Sequence, residues 1–241
     1  YVLFSNIIKE GADNNINKHI TKIKNKDKSK KSLVPYKSKS ELEDFCQEVY
    51  KDIAPESEDL TFDELSSWLL DKHEIETINI SNSDSKTLGN INFNTKKIYI
   101  NSNDSSHIGR NKFTLCHEIG HYLLAHGDYM IGERCLDEDL NIEEPPQIMI
   151  KDIMKMEYQA NYFASCLLIP KTSLSQYFLS IASSLELYDK GYGILYVDNQ
   201  QCNQDTYYRV TGELMRVYGV SRIAIKIRLK ELGFLKEPSK A

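Results

Sequence analysis

Residues 114–126 read TLCHEIGHYLLAH. Phe113, Leu115, Ile119 and the Leu123–Leu124 pair give this stretch one apolar face, and the spacing predicts a helix from Arg110 to His126. Gly120 lets a neighbouring helix come close. His117 and His121 are four residues apart, which on a helix leaves them about 40° from each other and one turn apart. Both imidazoles can therefore meet one metal ion. Glu118 sits at the edge of the same face, where it can take a proton from a water without occupying a coordination position. This is the logic of HExxH. Bulk water is a poor nucleophile, and coordination to zinc brings its pKa towards about 7. The plain alternative is a helix with two histidines satisfied in the core.

A hydrolytic zinc site takes three protein ligands and keeps one position open. Candidates for the third are His107, His126, the acids of residues 133–144 and Glu157. On a continuing helix His126 lies about 140° round from His121 and faces elsewhere. The pattern HExxHxxGxxH fails, because position 124 is Leu and position 127 is Gly. Residues 133–144 hold six acids and one Arg, followed by Pro145-Pro146, and read as an exposed, solvated loop. Glu157 opens EYQANYFASCLLIP, in which Glu157, Ala160, Asn161 and Ala164 share a helical face of small residues. It stands out among the candidates. Asn161, one turn on, can hydrogen-bond a ligand histidine from behind. Cys116 points off the ligand face and reads as packing.

Outward from this centre the chain alternates element types. SELEDFCQEVYKDI predicts a helix opened by a Ser cap at Ser40, with Leu42, Phe45, Val49 and Ile53 inward. LTFDELSSWLLDKH predicts a second, capped by Thr61, with Leu65, Trp68 and Leu69 inward. EIETINI, LGNINF and KKIYIN read as strands, the last two joined around Asn94-Thr95. A helix from about Ile150 to Leu168 stops at Pro170. Residues 171–208 are polar and Tyr-rich, with a short strand expected over Ile194–Val197, and helices follow over 203–218 and from Ser221. The order predicts an α+β fold, helices packed on a small three-stranded antiparallel sheet. Three regions are expected: a Lys-rich leader over 1–40, a core over 41–170, and helices over 171–241 that brace it.

The 241 residues, 41% hydrophobic and 27% charged with a net charge of -5, suit a soluble chain and argue against a dedicated polyanion binder. No apolar run approaches the roughly 18 residues that span a bilayer. YVLFSNIIKEG at the start lacks an initiator Met, a basic leader and a cleavage site, so no signal peptide is read there. Nine lysines and one acid lie between Lys18 and Lys39, a basic tail of the solvated kind. Five scattered cysteines, none in a CxxC pair, suggest a reducing cytoplasm.

RNKFTLCHEIGHYLLAHG followed by EYQANYFASCLLIP resembles the ImmA/IrrE family of metallopeptidases, whose pattern runs FTLAHELGHxLLH, then ExxANxFAxxLLxP. GNINFNTKKIYIN and YGVSRIAIKIRLKELGFL are similar to the family's hairpin and closing helix, so the resemblance spans residues 41–235. It implies a zincin-like, gluzincin-type core. It also implies zinc, or another divalent ion, held by His117, His121 and Glu157, with Glu118 as catalytic base. The implied partner is a protein substrate, a helix-turn-helix transcriptional repressor cut at a peptide bond. Cys116 in place of Ala, the long 171–208 segment and the Lys-rich leader depart from the pattern. No separate helix-turn-helix stands at the N-terminus, as it does in some relatives. Tyr122, Tyr162, Arg110 and the Tyr-rich segment are candidates to stabilise an oxyanion. Two other readings stand beside this one. A metal-containing regulator could bind a repressor without cutting it. The Gly-Val-Ser break in VTGELMRVYGVSRIAIKIRLKEL resembles a helix-turn-helix, and Arg209–Lys236 holds seven basic residues against two acids, which suits DNA phosphates.

Overall fold

The structure is a computed structural model. It describes residues 34–54, 59–81, 87–102, 108–129, 132–136, 152–189 and 191–238. Helix α1 (Lys39–Ile53) begins at Ser38, whose hydroxyl accepts from the Glu41 N–H while the Glu41 carboxylate accepts from the Ser38 N–H. The cap lies two residues before the expected Ser40; Ser40 also has a glutamate three residues on, but that residue, Glu43, is engaged by Arg228 and Tyr162, and the box closes between Ser38 and Glu41. Helix α2 (Phe62–His73) uses the same device with Thr61 and Glu64. Strands β1 (Glu76–Ile80), β2 (Thr87–Asn92) and β3 (Lys97–Asn101) follow. The Asn92 side chain accepts from the Asn94 and Thr95 N–H groups and shapes the β2–β3 turn. Next come helix α3 (Ile108–Leu123), strand β4 (Gly132–Leu136), helices α4 (Asp152–Leu168) and α5 (Lys171–Ser184), and strand β5 (Leu195–Tyr196). Helices α6 (Gln201–Tyr218) and α7 (Arg222–Glu231) and strand β6 (Leu235–Lys236) close the chain.

The α+β class holds, but the sheet differs from a three-stranded antiparallel one. It has four strands in the order β1-β3-β2-β4, and β1 runs parallel to β3. A chain that leaves β1, enters β2 and returns along β3 lays β3 beside β1 in the same direction. Strand β4 comes from the acid-rich stretch read as loop, and pairs antiparallel with β2 from Gly132 opposite Asn92 to Leu136 opposite Thr87. Backbone pairing imposes little on composition, so this strand carried no apolar alternation to find. Residues 171–184, read as part of a polar insertion, form α5, with Leu174, Phe178 and Ala182 inward. The short strand expected over 194–197 is β5, parallel to β6.

Helices α3 and α4 make the centre. A Cβ on Gly120 would lie 3.2 Å from the Ala160 Cα and 3.1 Å from the Phe163 ring, so two small residues bring the helices together. Every residue of α4 from Met156 to Leu168 is buried. Helix α1 packs on α4 and helix α3 on β2 and β3. One apolar core runs from Leu42 through Leu115, Phe163 and Leu214 to Leu235, so α6 and α7 share it with α3 and α4. Lys112 of α3 donates to the Tyr218 carbonyl (3.0 Å) and pairs with Asp59, clamping the α6–α7 joint at Gly219. Among the described residues, no helix is long and apolar enough to cross a membrane.

Candidate metal centre

His117, Glu118 and His121 are buried on α3, and Glu157 is buried on α4. The close α3–α4 contact brings the fourth residue across. His117, His121 and Glu157 each offer a ligand atom within 4.8 Å of the others. The two Nε2 atoms are 3.0 Å apart, His117 Nε2 is 3.4 Å from one Glu157 oxygen, and His121 Nε2 is 3.5 Å from the other. A tetrahedral ion with bonds of about 2.0–2.1 Å separates its donors by roughly 3.3–3.4 Å. The observed edges bracket that value, so the donor set fits a divalent cation in size as well as in chemistry.

Each histidine is held from behind. His117 Nδ1 lies 3.0 Å from Asn161 Oδ1, the contact that the one-turn spacing from Glu157 suggested. An amide oxygen only accepts, so His117 carries its proton on Nδ1 and turns a bare Nε2 to the cluster. His121 Nδ1 lies 2.9 Å from His126 Nδ1. His126 was expected to face elsewhere. The helix ends at Leu123, and Ala125 turns left-handed at φ 58°, so the 100°-per-residue rotation no longer applies and the ring folds back onto His121. The Gly127 that follows is the signal that could have shown it, since a Gly after an apolar run marks a helix end. Beyond His126 lies Gln159, whose Oε1 is 3.0 Å from His126 Nε2. Sequence reasoning did not single out Gln159.

Burial pushes the His121 pKa well below 6.5, with the neighbouring Glu157 charge acting the other way. Burial likewise brings His126 down to about 4. Both rings are therefore neutral at pH 7 and have lone pairs to offer. The Glu118 carboxylate faces the sheet. A Cβ on Gly89 of β2 would fall 3.0 Å from Glu118 Oε1 and 2.4 Å from a Thr114 methyl, so glycine there leaves the carboxylate its room. Cys116 is fully buried, which raises its thiol pKa and suits packing. His107 and the acids of 137–144 lie outside the described residues. The Tyr162 hydroxyl donates to Glu43 (3.0 Å), and Tyr122 meets the His73 ring edge-on.

A buried pair of imidazoles and a carboxylate, on two helices beside a small mixed sheet, defines an α+β protein with a site able to hold a divalent metal. The chain belongs to the Peptidase M78 family: the model described as the IrrE N-terminal-like domain matches residues 70–230. That range is narrower than the resemblance over 41–235 but includes both central motifs. No curated protein matches the chain. Among solved structures it is similar to a Mycobacterium tuberculosis transcriptional regulator, at 12% identity and a TM-score of 0.47, over 78% of this chain and 46% of that one. The chain thus spans less than half the length of that neighbour.

Proposed function

We propose that the protein is a zinc-dependent endopeptidase that hydrolyses a peptide bond in a protein substrate, a helix-turn-helix transcriptional repressor. The observation that carries this reading is the three-donor cluster, with edges of 3.0, 3.4 and 3.5 Å, beside the buried Glu118. His117, His121 and Glu157 would hold zinc or another divalent ion, and Asn161 would orient His117. When bound, zinc supplies a Lewis acid that makes water a nucleophile near pH 7 and polarises the scissile carbonyl. Glu118 is the general base. It takes one proton from the attacking water as the C–O bond forms, then delivers it to the amine nitrogen as the C–N bond breaks. The repressor as substrate rests on family membership. The free cysteines Cys46, Cys116, Cys166 and Cys202 support a reducing, cytoplasmic setting.

Residues 41–170 then serve as the core and 171–241 as its brace, while the leader expected over 1–40 gives way at its end to Val34, buried against Met156, and to helix α1 from Lys39. The alternative of DNA binding through α6 and α7 loses support from the side chains. Arg228 is buried against Glu43, Lys226 and Lys230 pair with Glu237, Arg216 pairs with Glu213, and Arg222 lies over the Tyr208 ring. Five of the seven basic residues of 209–236 are thus already engaged.

Glu118→Gln tests the assignment. It should keep zinc at one equivalent and lose cleavage of the cognate repressor by several orders of magnitude. Cleavage at the wild-type rate would end the peptidase reading, and a wild-type protein that takes up no divalent metal would end both it and the metal-containing regulator.

A further inference from the structure

The contacts behind His121 form one directed chain that reaches the segment before α1. Val34 is buried against Met156, its N–H donates to Asp152 Oδ1 (3.3 Å), and its carbonyl accepts from Lys155 Nζ (2.9 Å). The segment is thereby laid along the first turns of α4. The next carbonyl, that of Pro35, accepts from Gln159 Nε2 at 2.9 Å. A carbonyl cannot donate, so the Gln159 amide has a single orientation, NH2 towards Pro35 and Oε1 towards His126. An amide oxygen cannot donate either, so His126 Nε2, 3.0 Å away, carries the proton.

His126 as a neutral ring then has a bare Nδ1, and at 2.9 Å it accepts from His121 Nδ1. A neutral His121 with its proton on Nδ1 has a bare Nε2, the atom that faces Glu157 and His117. If the Gln159 amide were reversed, His126 Nε2 would accept and its Nδ1–H would point at His121. His121 would then carry its own proton on Nε2, where it blocks a metal.

Resting on the metal reading above, we infer that Gln159 and His126 are positioning residues, and that the Pro35 carbonyl sets the tautomer in which His121 can bind a metal. The residues just before the first helix thus become part of the metal site, through a relay of three hydrogen bonds. Gln159 is 1% exposed and His126 0%, so no solvent competes for the two inner contacts, while Pro35 at the outer end is exposed.

The experiment is nitrogen NMR of the histidine rings in the full-length zinc-loaded protein, together with zinc affinity by chelator competition. In the wild type His126 should show the neutral pattern with the proton on Nε2, and His121 a proton on Nδ1. Gln159→Leu should lose the fixed His126 tautomer and weaken zinc about 10- to 100-fold, the usual effect of removing an outer partner of a ligand histidine. A wild-type His126 with its proton on Nδ1 overturns the inference. So does a folded Gln159→Leu that binds zinc within twofold of the wild type. Should Gln159→Leu fail to fold, the wild-type ring pattern alone decides. Zinc uptake at one equivalent by the wild type with no effect in Gln159→Leu refutes the relay and leaves the metal reading intact, whereas a wild type that takes up no zinc removes both.

Discussion

Helix α4 borders two buried polar clusters of opposite logic. At one, Glu157 and Asn161 meet His117 and His121. At the other, Tyr162 meets Glu43, which receives both terminal nitrogens of Arg228 at 2.5 and 2.7 Å, while Arg228 Nε donates to the Ile169 carbonyl. The second cluster sets the Arg228 cation against the Glu43 carboxylate, with the Glu231 carboxylate a further 3.6 Å neighbour of the guanidinium. Burial works to raise the Glu43 pKa, and the Arg228 hydrogen bond and charge outweigh it. The first cluster turns two imidazole nitrogens and a carboxylate towards one point, all of them electron-pair donors. Burial is common to both, so burial does not mark a working site. The sign balance does: the Arg228 cluster contains its own cation, and the histidine cluster is complementary to one.

The sharpest way to break this comparison is to unbalance the Arg228 cluster. Arg228→Met should cost about 3–5 kcal/mol in denaturant unfolding, since it strands the Glu43 carboxylate. Replacing both partners with Glu43→Leu and Arg228→Met should recover most of it. Zinc affinity should stay unchanged in either case, and a tenfold loss would show the two clusters to be coupled.

Acid should act on the other cluster. His126 has its folded pKa lowered to about 4 from 6.5, and His121 is lowered too. The unfolded chain therefore binds more protons between these values, so stability is full above pH 6.5 and is lost as pH falls towards 4. For His126 the ceiling is about 3 kcal/mol. Urea midpoints of metal-free protein between pH 7.5 and 4.5 read it, and His126→Phe should flatten part of the slope.

Zinc supplies the next contrast. At a hundredfold excess over its dissociation constant it should add about 2.7 kcal/mol to wild-type stability. That increment should vanish in His117→Ala or Glu157→Gln and survive in Arg228→Met, read as the zinc-dependent shift in melting temperature. The smallest effect belongs to a region outside both clusters. Ser38→Ala or Thr61→Ala should cost about 1 kcal/mol each by loss of a helix cap, with zinc binding untouched.

Local patterns were legible where one element carries the information. The spacing of His117 and His121, the Thr61 cap and the inward Leu65, Trp68 and Leu69 all follow from a helix and its period. Asn161 behind His117 was legible for the same reason, because Glu157 and Asn161 lie one turn apart on one helix. His126 was not, since a helix running on to His126 turns the ring away, and the helix stops at Leu123. Strand β4 was not, because its partner is β2, some forty residues earlier in the chain, and pairing between backbones leaves little trace in side chains.

The sequence by itself determined the chemistry on offer: two imidazoles and a carboxylate on one helix turn, and a second carboxylate leading a face of small residues. Periodicity within a helix suffices for that. Tertiary structure decided which of these groups meet. The contact at Gly120 and Ala160 brings Glu157 to within 3.4–3.5 Å of the histidines. Only the folded chain puts Pro35, Gln159 and His126 in line behind His121. Hydrogen-bond direction across four segments depends on positions in space, and spacing along a chain does not encode those.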